Sequence, residues 1–305
     1  MQANKEQYVW MDGKLAKESE VRVPVLTHSL QYGSGIFEGL RAYDTGRGAA
    51  IFRLQDHVKR FMNTAKIYSM DLGFTAKEIS DAIVAVVKKN ALSSCYIRPF
   101  AFYNDTQIGI TPVGKKISVF VAAVPFGAYY GKGEEAGIKC KVSSWHRINS
   151  LILPPEAKAS GNYINSILAS EEARHSGFDE AILTSVSGYI AEGPGENIFF
   201  VEDNKLVTPP READILLGIT RDSIIKIAET MGIEVRERNV HKEELYTCDE
   251  AFFSGTAAEI TPITNIDGAK VGSGKVGIMT SSLSKAYSDI AHGKNKEFEG
   301  WLTFV

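Results

Sequence analysis

The spacing of the apolar residues changes within the first half of the chain, and no other sequence feature constrains the fold as strongly. Apolar residues recur at helical spacing over two stretches, and they form near-continuous runs typical of strands over two later ones. Thr75 and Glu78 add the pattern of a capping box ahead of the second helix. Helices and strands within one segment predict an α/β domain with mixed sheets. We expect helices at 56–68 and 76–90 and strands at 95–103 and 117–124.

A second segment of helices and strands begins after residue 137, and a glycine-rich stretch separates it from the first. Residues 126–137 contain four glycines and several charges, which is the composition of a linker. We therefore predict a small N-terminal α/β domain (1–125), an interdomain loop (126–137) and a large C-terminal domain (138–305). In the latter we expect strands near 138–144, 180–186, 189–191, 196–202, 205–208, 233–238 and 250–254, a hairpin at Asp267–Gly268, and helices near 162–176, 221–231 and 277–291.

Composition argues against several classes of protein. The 34 Lys and Arg residues are balanced by 37 Asp and Glu residues, and a net charge of −3 argues against nucleic-acid binding, which needs a basic patch. The three cysteines lie far apart in the chain, as expected of reduced thiols in the cytoplasm. We see no signal-peptide pattern and no run of about 20 apolar residues, so we expect a cytoplasmic enzyme without a membrane partner.

Motifs of other enzyme classes are absent or out of place. Residues 272–277 spell GxGxxG, but too little sequence follows for the rest of a dinucleotide-binding half. The six histidines show no metal-ligand spacing, so we expect no metal site. No GxSxG motif is present, which leaves a hydrolase nucleophile unsupported.

Lys158 is the first candidate catalytic residue. It lies among the small residues Ala157, Ala159 and Ser160, ahead of a predicted helix, so a flat ring could approach its side chain closely. A lysine removed from water loses its proton more easily and can form a Schiff base. A lysine at a helix start is also commonly a solvated charge, so Lys158 alone leaves both interpretations open.

Two turns and an acidic loop favour the catalytic interpretation. Residues 218–220 (GIT) immediately precede a predicted helix, and residues 254–257 (SGTA) follow an apolar run. Both turns offer backbone N–H groups to a phosphate. Glu192 and Glu196 lie in a glycine-rich loop, where one carboxylate could keep a pyridine nitrogen protonated. Each feature alone could instead be an ordinary helix cap, turn or polar loop.

Several segments together resemble a known family. Residues 192–221 resemble the signature of class IV aminotransferases, with Pro194 where the signature usually has a smaller residue. Other segments are similar, in the same order along the chain, to the branched-chain amino acid aminotransferases. These segments are His28–Gly33, Phe37–Arg41, Tyr96–Pro99, Phe126–Tyr129, Ala157–Tyr163 and Ser254–Glu259. So many ordered matches are far more specific than any one of them.

The resemblance implies a two-domain fold of type IV and pyridoxal 5′-phosphate as the cofactor. It implies that Lys158 forms the Schiff base with this cofactor and carries the proton between the substrate Cα and C4′ of the cofactor. The other cofactor contacts that it implies are Glu192 at the pyridine nitrogen, Tyr163 at the phenolic oxygen, Leu217 against the ring, and Arg60, Ile219, Thr220 and Thr256 around the phosphate.

The implied reaction is the reversible transfer of the amino group of L-leucine, L-isoleucine or L-valine to 2-oxoglutarate, giving branched-chain 2-oxo acids and L-glutamate. Arg98 lies in an otherwise apolar strand, where a buried arginine needs an anionic partner. In this family the matching arginine receives the side-chain carboxylate of glutamate. The other implied substrate contacts are Tyr96, Thr256 and Ala257 at the α-carboxylate with Arg41 in support, and Tyr32, Phe37, Tyr129, Tyr163, Ile108, Ile110 and Phe126 around an apolar side chain.

Three other functions fit parts of the sequence. Two keep the fold and cofactor: a D-amino-acid or (R)-amine aminotransferase, and an aminodeoxychorismate lyase. The third is a non-catalytic protein that binds the cofactor, vitamin B6 phosphate. Residues 37–41 and 96–99 favour the branched-chain substrates.

The resemblance also implies a homodimer or a larger homo-oligomer, with a hexamer left open. The family builds each active site from two chains. We expect Tyr32 to project from a glycine-rich loop (28–35) into the substrate pocket of a second chain.

Overall fold

The computed structural model describes residues 6–114, 116–127 and 137–305 of the chain. These residues divide into two compact units. The first unit contains the described residues up to Gly127, together with Ala157–Gly161 and Ala291–Val305. The second contains the described residues up to Glu156 and Asn162–Ile290. Lys158 thus groups by its contacts with the first unit, whereas the sequence-based boundary assigns it to the C-terminal domain. Most of the predicted interdomain loop lies outside the described residues.

The strands and helices are short and alternate irregularly along the chain. The strands are β1 (Tyr8–Met11), β2 (Lys14–Lys17), β3 (Gly35–Phe37), β4 (Leu40–Asp44), β5 (Ala49–Phe52), β6 (Cys95–Tyr103), β7 (Ile117–Val124), β8 (Ile138–His146), β9 (Glu180–Thr184), β10 (Ile190–Glu192), β11 (Asn197–Glu202), β12 (Lys205–Thr208), β13 (Val235–Glu237), β14 (Glu250–Gly255), β15 (Glu259–Ile266), β16 (Ala269–Lys270) and β17 (Leu302–Phe304). The helices are α1 (His28–Tyr32), α2 (Leu54–Ile67), α3 (Ala76–Lys89), α4 (Tyr163–His175), α5 (Ile219–Thr230) and α6 (Ile278–Ala291). Within the described ranges, no helix has both the length and the apolar character needed to cross a membrane.

The first unit is built on an antiparallel sheet with the strand order β17–β5–β4–β6–β7–β1–β2, and β3 also pairs with β6. Side chains alternate between the two faces of a strand. In β6, Cys95 and Ile97 enter the core with apolar residues of α2 and α3, while Tyr96 and Arg98 lie on the opposite face and are only partly buried. This alternation places the polar groups of Tyr96 and Arg98 on one face of β6, whose other face is apolar.

The second unit contains a nine-stranded sheet with the order β10–β9–β8–β15–β14–β11–β12–β13, and β16 pairs with β15. An additional pairing of β10 with β11, Glu192 opposite Asn197, closes six of these strands into a ring. Helix α4 packs on β8 and β9, and α5 packs on β13 and β14. The ring therefore brings the strand ends that carry residues 192–197 next to those of β14.

The structure agrees with most of the predicted elements. The strands at 95–103 and 117–124 have the predicted bounds, and α2 to α6 begin and end within two residues of the predicted helices. The capping box ahead of α3 is present: Thr75 N donates to Glu78 Oε2 at 2.7 Å, and Glu78 N donates to Thr75 Oγ1 at 3.3 Å.

One local prediction is wrong. Residues 28–35 are not a continuous loop, because His28–Tyr32 form α1, and Gly33 ends it in the left-handed conformation with its N–H on Ser29 O.

All three cysteines are buried and unpaired with one another. Burial raises the pKa of the Cys95 thiol to about 11 and that of Cys248 to about 12. Burial also raises the pKa of the Cys140 thiol well above its usual range. Since the thiolate is the reactive form of a cysteine, these three thiols serve packing rather than chemistry.

Candidate active site

Lys158 is held through its main chain by two neighbouring elements of the first unit. Its N–H donates to Thr64 Oγ1 on α2 at 3.3 Å, and its carbonyl accepts from Phe37 N at 2.9 Å. Ala159, the next residue, bridges to Ile36 on β3. The Lys158 ammonium lies 5.0 Å from the centre of the Phe37 ring. These contacts fix the main chain at Lys158, and they explain why this segment groups with the first unit.

One face of α2 carries three residues that point to the same region. His57, Arg60 and Thr64 are spaced by one helical turn, so they share a face. His57 Nδ1 and Arg60 Nε both bind the carboxylate of Glu38, at 2.8 and 2.5 Å, while Thr64 binds the Lys158 main chain. The predicted cofactor residues Arg60 and Lys158 therefore both adjoin this face of α2.

The predicted substrate residues of β6 are brought together with Phe37. Arg98 Nη2 donates to Tyr96 Oη at 3.1 Å, and the Arg98 guanidinium carbon lies 4.6 Å from the centre of the Phe37 ring. Arg98 Nε is buried and has no hydrogen-bond partner among the described residues. Gly39 is required beside this pair, because a Cβ there would lie 2.0 Å from Tyr96 Oη. Arg98 is thus a partly buried cation that contacts the aromatic side chains of Tyr96 and Phe37.

Arg41 and Phe126 adjoin this cluster. The Arg41 guanidinium carbon lies 5.4 Å from the centre of the Phe126 ring and 5.0 Å from that of Tyr43. The Phe126 ring is centred 5.2 Å from that of Tyr96. The structure therefore connects five of the predicted substrate residues of the first unit, Phe37, Tyr96, Arg98, Arg41 and Phe126.

Three other predicted pocket residues of the first unit are exposed rather than gathered here. Tyr32 is 42% exposed at the end of α1, with its ring 4.6 Å from that of His28. Ile108 is 76% exposed and Ile110 is 85% exposed. Tyr129 lies outside the described residues.

Glu192 lies at the end of β10 in the second unit, and its buried carboxylate is held by side chains and by the main chain. Arg147 Nε lies 2.6 Å from Oε1, while Asn197 Nδ2 and Leu216 N lie 2.9 and 3.1 Å from Oε2. Partners on both carboxylate oxygens fix the orientation of the Glu192 side chain. The adjacent Glu196 instead accepts from Gly195 N at 3.0 Å.

Each of the two predicted phosphate turns has polar groups without a partner in the elements that form it. Gly218 precedes α5, where no side chain caps the first turn, and the first N–H groups of a helix have no partner within the helix. A Cβ on Gly218 would lie 2.0 Å from Asn197 Oδ1, so only glycine fits. At the end of β14, the buried Ser254 Oγ has no partner among the described residues. Thr256 and Ala257 form the turn that follows.

The remaining cofactor candidates also lie in the second unit. Tyr163 is the first residue of α4 and is half-buried, and Leu217, immediately before Gly218, is 37% exposed. Thr220 is buried within the first turn of α5. Tyr163 and the two turns thus belong to one unit, and Lys158 and Arg60 belong to the other.

These donors fit a phosphorylated pyridine. The uncapped start of α5 and the orphaned Ser254 hydroxyl suit an anion. The oriented Glu192 carboxylate suits a protonated ring nitrogen. In the described part of the chain, no group of three or more His, Cys, Asp or Glu side chains could hold a metal ion.

Sequence reasoning missed Glu38, His57 and Arg147. A signal existed for Glu38, because it is a charged residue among the apolar neighbours Ile36, Phe37 and Leu40 and therefore needs a buried partner. Arg147 gave a weaker signal of a buried ion pair, because it follows the end of a predicted strand, where a charged residue is commonly exposed to solvent. Neither sequence position indicates which carboxylate or guanidinium is the partner.

Comparison with known proteins gives matches over the whole chain. The family profile of class IV amino-transferases matches residues 35–266. The branched-chain-amino-acid aminotransferase of Escherichia coli (strain K12) is 43% identical over 100% of this chain and 99% of its own. That of Pseudomonas aeruginosa is 45% identical over 99% of both chains.

Solved structures match equally well. A branched-chain amino acid aminotransferase of the organism abbreviated T.th., solved with pyridoxamine 5′-phosphate, has a TM-score of 0.95 at 43% identity, covering 98% of this chain and 99% of that one. The same enzyme complexed with N-(5′-phosphopyridoxyl)-L-glutamate has a TM-score of 0.94 at 42% identity, with the same coverage.

Proposed function

The chain belongs to the class IV aminotransferase family, and from this membership we propose that it transfers the amino group of L-leucine, L-isoleucine or L-valine to 2-oxoglutarate. The products are the branched-chain 2-oxo acids and L-glutamate, and the reaction is reversible. The chain is a pyridoxal-phosphate-dependent transaminase of fold type IV. Relatives named for the branched-chain reaction match its full length at 43–45% identity, which supports these substrates over D-amino acids, (R)-amines or aminodeoxychorismate.

One observation in the structure itself supports these substrates, independently of the family membership. The Phe37 ring lies within 5.0 Å of the Lys158 ammonium and 4.6 Å of the Arg98 guanidinium carbon. One apolar ring thus adjoins both the reacting amine and a cation. The apolar surface suits a branched side chain, and the cation suits the side-chain carboxylate of glutamate.

Pyridoxal 5′-phosphate, when bound, supplies a ring that takes up the electron pair left as the substrate Cα loses its proton. Lys158 Nζ acts as the general base that accepts this proton, and then as the general acid that returns one. The fixed main chain on both sides of Lys158 limits where Nζ can reach. The Phe37 face stabilises the ammonium form, since a cation is attracted to an aromatic face.

We assign the cofactor contacts to the residues whose chemistry fits. Glu192, oriented by Arg147 and Asn197, would hold the proton on the pyridine nitrogen. The remaining contacts would be Tyr163 at the phenolic oxygen, Leu217 against the ring, and Arg60, Ile219, Thr220 and Thr256 at the phosphate.

The substrate contacts follow the same reasoning. Tyr96, Thr256 and Ala257 would bind the α-carboxylate, with Arg41 in support. Phe37 and Tyr129 would contact the apolar side chain. Arg98 would bind the second carboxylate of 2-oxoglutarate or glutamate.

We further propose that the enzyme is at least a homodimer, in which Tyr32 contributes to the site of the second chain. Each unit exposes several large apolar side chains, and contiguous apolar surfaces of this kind mark interfaces. They include Val25, Leu30, Ile108 and Ile110 in the first unit, and Leu151, Ile152 and Ile164 in the second. The three unpaired, buried thiols support a cytoplasmic location.

The proposal is tested by following each half-reaction separately. L-leucine added to the protein loaded with pyridoxal phosphate should abolish the yellow absorbance of the bound cofactor, and 2-oxoglutarate should restore it with formation of L-glutamate. Lys158→Ala should lose both responses and still fold. A borohydride-reducible link to the cofactor in Lys158→Ala would show that Lys158 is the wrong lysine.

The competing functions give different results in the same assay. A response to D-alanine but not to L-leucine would identify a D-amino-acid aminotransferase. Pyruvate release from aminodeoxychorismate without 2-oxoglutarate would identify the lyase. If the cofactor binds but no amino acid changes its absorbance, the chain is a non-catalytic binding protein.

A further inference from the structure

Glu38 is a fully buried carboxylate in the short connection between β3 and β4. It is 0% exposed. Arg60 Nε donates to its Oε1 at 2.5 Å and Arg60 Nη2 to its Oε2 at 2.9 Å. His57 Nδ1 and Gly39 N also lie within hydrogen-bond distance of Oε2, at 2.8 and 3.1 Å. Every one of these partners lies in the first unit, next to the Lys158 segment.

The Glu38 side chain is ionised and the His57 ring is neutral. Burial opposes ionisation of Glu38, but Arg60 and His57 outweigh it and hold the pKa of this carboxyl well below its usual range. Burial lowers the pKa of His57, although Glu38 opposes this change. Because a carboxylate only accepts hydrogen bonds, His57 Nδ1 carries the proton. Glu38 and Arg60 therefore form a neutral pair, with His57 as an additional donor.

The pair uses one edge of the guanidinium. A planar guanidinium bound through Nε and one Nη is fixed in both position and plane. The other terminal nitrogen, Nη1, lies on the opposite side of the planar group, away from the Glu38 carboxylate. The Arg60 side chain is 14% exposed, whereas the Glu38 side chain is 1% exposed, so Arg60 remains reachable from outside the core and Glu38 does not.

Stability alone does not account for this arrangement. Buried ion pairs cost much desolvation, and replacing them with apolar residues is often neutral or stabilising. What an apolar replacement cannot provide is a fixed direction for a cation. We propose that Glu38 is a positioning residue, which holds the Arg60 guanidinium in the orientation that receives the cofactor's phosphate. This inference rests on the proposed function in one respect, the assignment of Arg60 to the phosphate.

The effect of removing Glu38 can be predicted in sign. If Glu38 acted on the phosphate only through space, Glu38→Gln would tighten phosphate binding, because one negative charge is removed. If Glu38 orients Arg60, the same variant must weaken phosphate binding. A neutral amide cannot hold the planar guanidinium through two hydrogen bonds as a carboxylate does. The Arg60 side chain is then mobile in the free protein and loses conformational entropy when the phosphate binds. The two roles therefore give opposite results.

The experiment measures the affinity of the cofactor-free protein for pyridoxal 5′-phosphate and for pyridoxal, which lacks the phosphate. We expect Glu38→Gln to weaken pyridoxal phosphate binding by roughly tenfold or more, the loss of a charge-assisted contact. Pyridoxal affinity should change little, and inorganic phosphate should compete less well for the site. Unchanged or tighter binding of pyridoxal phosphate, or equal losses for both ligands, would overturn the inference.

A double-mutant cycle separates this inference from the proposed function. Arg60→Met should weaken pyridoxal phosphate binding, and adding Glu38→Gln to it should have little further effect, because both changes remove one interaction. If Arg60→Met leaves the affinity unchanged, the phosphate role of Arg60 is wrong. If Arg60→Met weakens binding but Glu38→Gln does not, Glu38 has no positioning role.

Two further variants control for folding. Glu250→Gln removes another carboxylate with three protein donors, Met279 N, Thr280 N and Thr280 Oγ1, and should lower stability without changing cofactor affinity. Should Glu38→Gln not fold, Glu38→Asp keeps the charge on a shorter side chain that cannot span both guanidinium nitrogens as well. It should still weaken pyridoxal phosphate more than pyridoxal, and full retention of affinity would count against the inference.

Discussion

At the residue scale, Arg98 is a cation whose neighbours are a tyrosine hydroxyl and two aromatic rings. Aromatic faces stabilise a guanidinium modestly, and they do not satisfy its N–H donors. The buried Nε accordingly has no partner among the described residues. A carboxylate of a bound ligand would supply the missing hydrogen-bond acceptor.

We expect Arg98→Gln to affect the two half-reactions unequally. The lost charge-assisted hydrogen bonds correspond to roughly 1.5–3 kcal/mol, or about 10- to 150-fold in the affinity for 2-oxoglutarate. Leucine should lose much less, since its side chain makes no ion pair. Single-turnover measurements with each substrate give the comparison.

Arg41→Gln is the matched control for Arg98→Gln. Arg41 is assigned to the α-carboxylate, which both substrates carry, so its loss should weaken both alike. Equal losses in Arg98→Gln would mean that Arg98 also serves the shared carboxylate or the fold, and the dual-substrate proposal would be wrong.

Glu192→Gln should lower kcat more than it lowers cofactor affinity. The amide keeps the shape but cannot hold a proton on a ring nitrogen as a carboxylate does. We expect a loss on the order of 100-fold in kcat, typical of removing one preorganised electrostatic contact. Glu196→Gln, a neighbouring buried glutamate, is the control. A fall in kcat there, with Glu192→Gln unchanged, would move the role to Glu196.

Glu38 should also make stability depend on pH. Its folded-state pKa lies below the usual value, so its stabilisation is complete above about pH 4.3 and is lost as the pH falls toward the folded-state pKa. Between about pH 6 and pH 3, the unfolding free energy of the wild type should fall more than that of Glu38→Gln. Parallel pH profiles from urea unfolding would contradict this.

The sequence allowed single residues to be identified, but not their partners. Lys158, Glu192 and Arg98 stand out by their neighbours in the chain. Glu38 and Arg60 lie 22 positions apart, and Arg147 and Glu192 lie 45 apart, with no periodicity linking them. Such pairs depend on tertiary packing, which one sequence does not reveal.

At the element scale, the long periodic helices and the long apolar strands could be predicted, and several short strands could not. The first hairpin has a clear signal that our prediction did not use: Asp12 and Gly13, both at positive φ, form the turn between β1 and β2. Strand β17 has no such signal. Its three residues become a strand because they pair with β5.

Gly218→Ala tests how the start of α5 is built. The added Cβ would displace the Asn197 side chain, which donates to Glu192 Oε2 and Leu216 O at 2.9 and 2.8 Å. We expect roughly tenfold weaker cofactor binding and a stability loss of about 1–3 kcal/mol, typical of overpacking.

Gly195→Ala is the control for this change. A Cβ on Gly195 meets nothing within 4 Å, and the residue lies in the neighbouring loop. Both the unfolding free energy and the cofactor affinity should stay close to the wild type. Similar losses in the two variants would show that the close approach of Asn197 is not the cause.

At the scale of the whole molecule, the proposed homodimer can be tested by complementation between two inactive variants. Lys158→Ala and Tyr32→Ala should each be inactive as homodimers. Mixed in equal amounts after subunit exchange, they should recover activity if Tyr32 acts in the site of the other chain. The hybrid then contains one site with both residues intact.

Two outcomes would contradict this. A monomeric wild type in sedimentation analysis would refute the proposed dimer. A dimer with confirmed exchange but no recovered activity would place Tyr32 in the site of its own chain or outside any site.

The pairing of β17 with β5 has a consequence for how the protein is made. Leu302 pairs with Phe52, so the ribosome adds the outer strand of the first sheet about 250 residues after its neighbour. By then the second unit, whose residues end at Ile290, has already been synthesised and can close its ring of strands. Until then β5 presents an open edge, a site where chains associate wrongly. The sheet that starts first is therefore completed last, and we expect nascent chains to need protection at that edge.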